Sequence, residues 1–125
     1  MKKVFVSFDW DNNRNIKNFV MGQAKLPTSP FSGIDYSMRE AAPQANWETV
    51  AENRIKQCDL VLVMVGSRTH RAQGVLKEVE MARRNNVPIS QIIAYKDLVN
   101  VTPVPGAGRL YRWSWDNLRS LLPNR

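Results

Sequence analysis

The stretch from Asp59 to Ala82, DLVLVMVGSRTHRAQGVLKEVEMA, leaves this chain few folds to choose from. From Asp59 to Val65 it is almost uninterruptedly apolar and rich in β-branched residues, which suits a strand covered on both faces and is too short to span a membrane. Gly66 ends the run, and Ser67 to His70 form a polar turn. From about Gln73 the apolar residues Val75, Val79 and Ala82, with Leu76 beside them, recur at helical spacing. A strand feeding a helix in this way is half of a βαβ unit. Ligands of open parallel sheets bind outside the carboxyl ends of the strands, so Gly66 to His70 are expected on the rim of a crevice.

One carboxylate in the helical part is out of pattern. At about 100° per residue and with Val75 as origin, Val79 and Ala82 fall within roughly 40°, Glu78 roughly 60° away and Glu80 roughly 140° away. Glu80 therefore faces water, and Glu78 sits on the border of the buried arc. Two readings of Glu78 stay open on periodicity: a boundary glutamate shielded by Arg71 or Lys77, or an acid held near the crevice for chemistry.

The remaining segments alternate strand and helix. KKVFVSF, with Val4, Phe5, Val6 and Phe8, predicts a buried first strand. It runs into Ser7, Phe8, Asp9, Trp10 and Asp11, where a βα loop belongs. Asp11 or Asn12 caps a helix with Ile16, Phe19, Val20 and Ala24 on one face. Lys25 to Ala45, rich in Pro, Ser and Gly, is either a long functional loop or a loop enclosing a short strand around Gly33 to Tyr36. Asn46 caps a helix carrying Trp47, Val50, Ala51 and Ile55. Asn85, Asn86 and Pro88 stop the central helix, and Ile89 to Tyr95 is the next strand. Lys96 to Arg109 is a loop leading to a short edge strand at Leu110 to Trp113, and Ser114 caps a last helix through Leu118, Leu121 and Leu122. The expectation is an α/β fold, flavodoxin-like and doubly wound, with a mainly parallel sheet, helices on both faces and residues 1–125 as a single domain.

Length and composition exclude several classes. A chain of 125 residues with 43% hydrophobic content suffices for one compact core. No run approaches the roughly 18 apolar residues of a membrane helix, and two lysines lead straight into the first strand without a leader pattern, so a cytoplasmic protein is expected. Cys58 is the single cysteine and His70 the single histidine. Neither a disulfide nor a zinc site nor a His-based triad is expected, and Cys58 reads as a small buried residue. The formal charge of +7 invites nucleic acid. The basic residues are scattered, however, from Lys2 and Lys3 through Arg68, Arg71, Arg83 and Arg84 to Arg125, and a solvated surface accounts for most of them.

The motif search is mostly negative. Neither G-x-G-x-x-G after the first strand, nor G-x-x-x-x-G-K-[ST], nor G-x-S-x-G is present, and Gly106-Ala107-Gly108 is explained by turn chemistry. Chemistry must come from polar groups gathered at strand ends. Three stretches carry a resemblance: KVFVSF, IDYS around Asp35 and Ser37, and VLVMVGSRTHRAQGVLKEVEMA. Together, over residues 3 to 95, they resemble the TIR-like family typified by the TIR proteins of Thoeris anti-phage systems. In that family a pattern close to V-G-S-x-T followed by W-V-x-x-E-[IV] ends in the glutamate required for NAD processing. Val65-Gly66-Ser67-Arg68-Thr69 and then Val75-Leu76-Lys77-Glu78-Val79 match it, which places that glutamate at Glu78. Gly74 stands where the family has tryptophan, a departure that removes a bulky wall.

The resemblance implies cleavage of the nicotinamide–ribose bond of NAD, a substrate rather than a cofactor, and release of an ADP-ribose-type signal, cyclic or linear, that activates a separate effector protein. It also implies self-association for activity and a phage-derived trigger, with no metal and no membrane partner. Glu78 is the expected catalytic acid. Ser7, Phe8, Asp9, Asp35, Ser37, Gly66 and Ser67 are the expected substrate-binding groups, each with a structural alternative: core packing for Phe8, turn and capping chemistry for the polar ones. Trp10 and Trp47 either cover the pocket or bury area, and His70 reads as an exposed loop residue. Two other classes compete. One is a non-catalytic TIR-like protein–protein interaction module with Glu78 on its surface. The other is a receiver domain, for which Asp9 and Asp11 supply an acidic pair but Gly66-Ser67 supply no phosphorylatable aspartate.

Overall fold

The computed structural model describes residues 2–9, 31–36, 47–94, 101–112, 114 and 117, with backbone alone for residues 2 and 31–36. Among them, five strands form one sheet: β1 Lys2–Ser7, β2 Phe31–Tyr36, β3 Leu60–Val65, β4 Ile89–Ile93 and β5 Leu110–Tyr111. The strand order is β2-β1-β3-β4-β5, and every pairing is parallel. Helix α1 spans Trp47–Lys56 and α2 spans Gln73–Arg84, with a 3-10 turn at Thr69–Arg71 ahead of α2. This order is the flavodoxin-like arrangement of α/β folds, with its topological switch point between β1 and β3.

Burial follows the alternation of a pleated strand. Phe5, Val61, Val63 and Val65 pack in one cluster with Trp47, Ala51 and Ile55 of α1 and with Val75, Val79 and Ala82 of α2. Val4, Val6, Leu60, Leu62 and Met64 point the other way and are buried too, none more than 1% exposed. Each such side chain stabilises the fold by about 1.5–3 kcal/mol. A strand that is apolar on both faces has no stable place except the middle of a sheet, and β3 lies between β1 and β4.

Most differences from the sequence expectations are at ends. The second strand exists and begins at Phe31 rather than near Gly33, with a register irregularity where β1 passes from Lys2 to Lys3. β3 begins at Leu60 because Asp59 is engaged elsewhere. Its amide donates to the Lys3 carbonyl at 2.8 Å and its Oδ2 accepts from the Lys3 amide at 2.9 Å, clipping the two strand starts together. β4 ends at Ile93 and β5 at Tyr111, both shorter than expected. Cys58 is buried at the head of β3, as expected. The Ser114 hydroxyl accepts from the Asn117 amide at 3.0 Å, which is the expected cap. The helix expected after Asp11 or Asn12, the Asn46 cap and the body of the last helix lie outside the described residues.

Helix α2 ends on Asn86, whose φ of 58° is left-handed. The Val87 amide donates to the Ala82 carbonyl at 2.9 Å and the Asn86 amide to that of Arg83 at 3.2 Å, the paired bonds of a Schellman end. Asparagine tolerates that φ better than most residues, which is why the Asn85-Asn86 stop signal works. Arg84 in the last turn holds Glu52 of α1 through two bonds of 2.8 and 2.7 Å, and Asn85 adds a third of 2.7 Å. Buried Gln91 of β4 was not anticipated from the sequence. Its amide nitrogen donates to the carbonyls of Val104 and Gly108, and its oxygen accepts from the Val104 amide at 2.8 Å. Gly106 and Gly108, at φ 79° and 80°, give the 101–109 loop the turns that place Val104 and Ala107 in the core.

Two outcomes test these contacts. Gln91→Met, which keeps the volume and strips the amide, leaves backbone groups of the loop without their partner and is expected to lower stability by about 1–3 kcal/mol in urea unfolding. No loss would mean that the loop is not fastened through Gln91. The second concerns Glu52, whose carboxyl is pulled from 4.5 down to about 2, first by the hydrogen bond from Arg84 and then by that from Asn85. With the native value lowered, the unfolded chain binds more protons inside that window. The contribution is complete above 4.5 and fades as pH falls toward about 2. Because the pair is exposed, its share of stability is small. Carboxyl NMR is expected to show Glu52 titrating near 2, moving toward 4.5 in Arg84→Ala.

Candidate active site

In β1 the side chains of Phe5 and Ser7 share the face that α1 and α2 cover, and Ser7 is paired in register with Val63. Val4 to Val6 and Leu60 to Val65 are all apolar, so the hydroxyl of Ser7 interrupts a hydrophobic row. Above that row, α2 presents Val75, Val79, Ala82, Gly74 and Met81, all buried, and among them Glu78. Glu78 is 1% exposed and Ser7 0%. The Ser7 Oγ donates to Glu78 Oε1 at 2.6 Å, joining residues 71 positions apart.

This overturns the boundary reading of Glu78. Lys77 pairs with Glu48 at 3.4 Å and lies 5.8 Å over the Trp47 ring, and Arg71 is exposed. At about 100° per residue the buried positions of α2 run over roughly 160°, from Met81 to Val79, and Glu78 falls well inside that arc rather than on its border. Glu78 is therefore not the surface residue that the interaction-module alternative expected. Taking a carboxylate out of water costs several kcal/mol, against which a hydrogen bond to the charged group, such as that from Ser7, returns about 1.5–3 kcal/mol.

The carboxyl ends of β1 and β3 supply the neighbouring groups. Phe8 and Asp9 follow Ser7 and are buried, at 2% and 5% exposure. After β3, buried Gly66 donates its amide to Thr69 Oγ1 at 2.7 Å, a hydroxyl-closed turn that leaves Ser67 and Arg68 exposed. Thr69, fully buried, was missed at the sequence level. Its signal was a threonine three positions after a strand-ending glycine. His70 is half-buried rather than exposed, with Nδ1 shut off from solvent and without a hydrogen-bond partner among the described residues. The start of α2 has no side-chain cap at Ala72 and no acid in its first turn, so its own side chains do not neutralise the positive end of the helix.

The structure therefore brings together Ser7, Phe8, Asp9, Gly66 and Glu78 at the β1/β3 switch point. Asp35 stands on β2 in register with Phe5, its side chain outside the described residues, as are Ser37 and Trp10. Ser67 is turned to solvent. Trp47 belongs to the core at the start of α1 and buries area. An open groove of about 480 Å³ between α2 and Pro105, lined by Leu76, Val79, Glu80, Arg83 and Arg84, does not include Glu78 and is a separate surface feature.

A parallel sheet ordered 2-1-3-4-5, with an acid of its central βα unit buried against the end of β1, defines a flavodoxin-like α/β domain. Residues 5–97 match the family model described as Thoeris protein ThsB, TIR-like domain. The chain belongs to that family, and the matched span contains Ser7, Asp35, Gly66 and Glu78. No curated protein matches the chain. Among the described residues no helix is long and apolar enough to cross a membrane.

A stability measurement separates a functional acid from a structural one. Glu78→Gln keeps the shape and the oxygen that accepts from Ser7 while removing the charge, so its Tm is expected to equal or exceed that of the wild type. A loss above about 2 kcal/mol would instead make Glu78 a structural keystone.

Proposed function

We propose that this chain is a TIR-like NAD-processing enzyme of Thoeris-type anti-phage defence, with Glu78 as the catalytic carboxylate. The single observation that carries the reading is the burial of Glu78, at 1% exposure, under the switch point of a ThsB-type TIR-like domain. Nicotinamide in NAD is already a cationic leaving group and needs no proton. When the bond from the ribose C1′ to the pyridinium nitrogen breaks, the electron pair goes to nitrogen and positive charge develops on the ribose. A carboxylate fixed against the sugar in a water-poor site stabilises that charge and accepts hydrogen bonds from ribose hydroxyls. Glycosidases set carboxylates against the same kind of charge. Water adding to C1′ and losing a proton gives ADP-ribose. An adenine nitrogen or hydroxyl of the same molecule gives a cyclic isomer, which requires a folded substrate and exclusion of water.

The same burial has a kinetic corollary. A carboxylate shielded this fully meets a nucleotide only after the groups over it move, and closures of that kind gate many enzymes. Gating by a phage-derived trigger and by self-association, in the cytoplasm, fits that requirement. The nucleotide product would then act on a separate effector protein.

The test is nicotinamide release from NAD, read by mass spectrometry on the full chain in crowded solution and in phage-challenged cells. Glu78→Gln is expected to lower release at least about 10²-fold while the circular dichroism spectrum is unchanged. Equal release from the two proteins removes Glu78 from the mechanism, and release from neither in challenged cells returns the chain to the interaction-module class.

A further inference from the structure

Ser7 lies at the end of β1 on the face of Phe5 and in register with Val63, and a strand position of this kind gains about 1.5–3 kcal/mol from a valine and nothing comparable from a serine. Its hydroxyl is fully buried and its 2.6 Å bond to Glu78 Oε1 is in the range of a charge-assisted O–H···O⁻ contact. A serine has one hydrogen to give. Donated to Glu78, it is not available to a pyrophosphate, which only accepts. An ionised carboxylate accepts about four hydrogen bonds, so the bond from Ser7 uses a fraction of its capacity.

We infer that Ser7 is the positioning residue of the Glu78 carboxylate and not a ligand of the nucleotide. The inference rests on the NAD-processing reading above and deepens it. A glutamate side chain turns about three bonds, and a catalytic group must be held within about 0.5 Å of its productive place. The rigid middle of a buried parallel sheet is a better anchor for it than a loop, and Ser7 is the point at which β1 grips α2.

Turnover and titration of the full chain test this together. Ser7→Ala is expected to lower kcat for nicotinamide release by about 10- to 100-fold, since displacement of a catalytic group by about 1 Å costs on that order. KM is expected to stay within about threefold, because no nucleotide contact is removed. Ser7→Thr, which keeps the hydroxyl and suits a strand, is expected to recover most of the lost kcat, while Ser7→Cys, a weak donor, recovers little. A rise in KM at constant kcat would make Ser7 a nucleotide ligand. Faster release by Ser7→Ala would make the bond a latch that restrains the acid. Either result overturns the inference, as does unchanged turnover.

Carboxyl NMR of Glu78 gives a readout that does not need turnover. Loss of a donor to the charged form is expected to raise the pH at which Glu78 protonates in Ser7→Ala. The charged groups on the surrounding elements are the same in both proteins: Asp9 after β1, His70 and Arg71 ahead of α2, Lys77 and Glu80 on α2, and Glu48 on α1. An unmoved titration overturns the inference even if NAD is cleaved. A moved titration in a chain that releases no nicotinamide would sink the NAD reading and leave Ser7 as the holder of a buried acid.

Discussion

Leu60 to Val65 has no face that can meet water, and the rest of the domain answers to that. A strand of this kind must be flanked by two others and covered above and below, so β1 and β4 take its edges while α1 and α2 close one face. Parallel pairing then puts the carboxyl ends of β1 and β3 side by side. The hydrophobic effect, which has no interest in function, thereby assembles the ledge on which a site can be built.

The candidate site occupies two of the places where that apolar rule is broken. One is Ser7, the last residue of a strand that otherwise buries Val4, Phe5 and Val6. The other is Glu78, inside the buried arc of the helix that crosses the strand. Each departure alone would cost stability, and together they form one bond of 2.6 Å. Polar groups placed so expensively are seldom retained for packing. A proposed role against a developing sugar cation is consistent with the fixed geometry and exclusion of water that such a burial provides.

The periphery is held differently. Asp59 clips two strand starts, Gln91 fastens the 101–109 loop, and Arg84 with Asn85 binds α1 to α2 through Glu52. These contacts lie away from the switch point. They keep the frame rigid while leaving the rim, with Ser67 and Arg68 exposed and an uncapped helix start behind them, to meet whatever the domain binds.

The elements themselves were legible in the amino-acid order: the apolar run of β3, the helical spacing of Val75, Val79 and Ala82, the Asn85-Asn86 stop, the Ser114 cap and the alternation that demands a parallel sheet. Local physics decides those features, because periodicity, turn chemistry and β-branching act over a few neighbouring residues. Glu78 was singled out differently, by the resemblance of Val65 to Thr69 and Val75 to Val79 to the family pattern and not by local physics. What the chain could not express locally was depth and partnership. Whether an acid about 60° from Val75 is shielded by Lys77 or buried against Ser7 depends on how flat the helix lies and on which strand passes beneath it. The engagement of Gln91 with Val104 and the half-burial of His70 are of the same kind. Such pairings join residues far apart in sequence, and only packing of the whole domain brings them within hydrogen-bond reach.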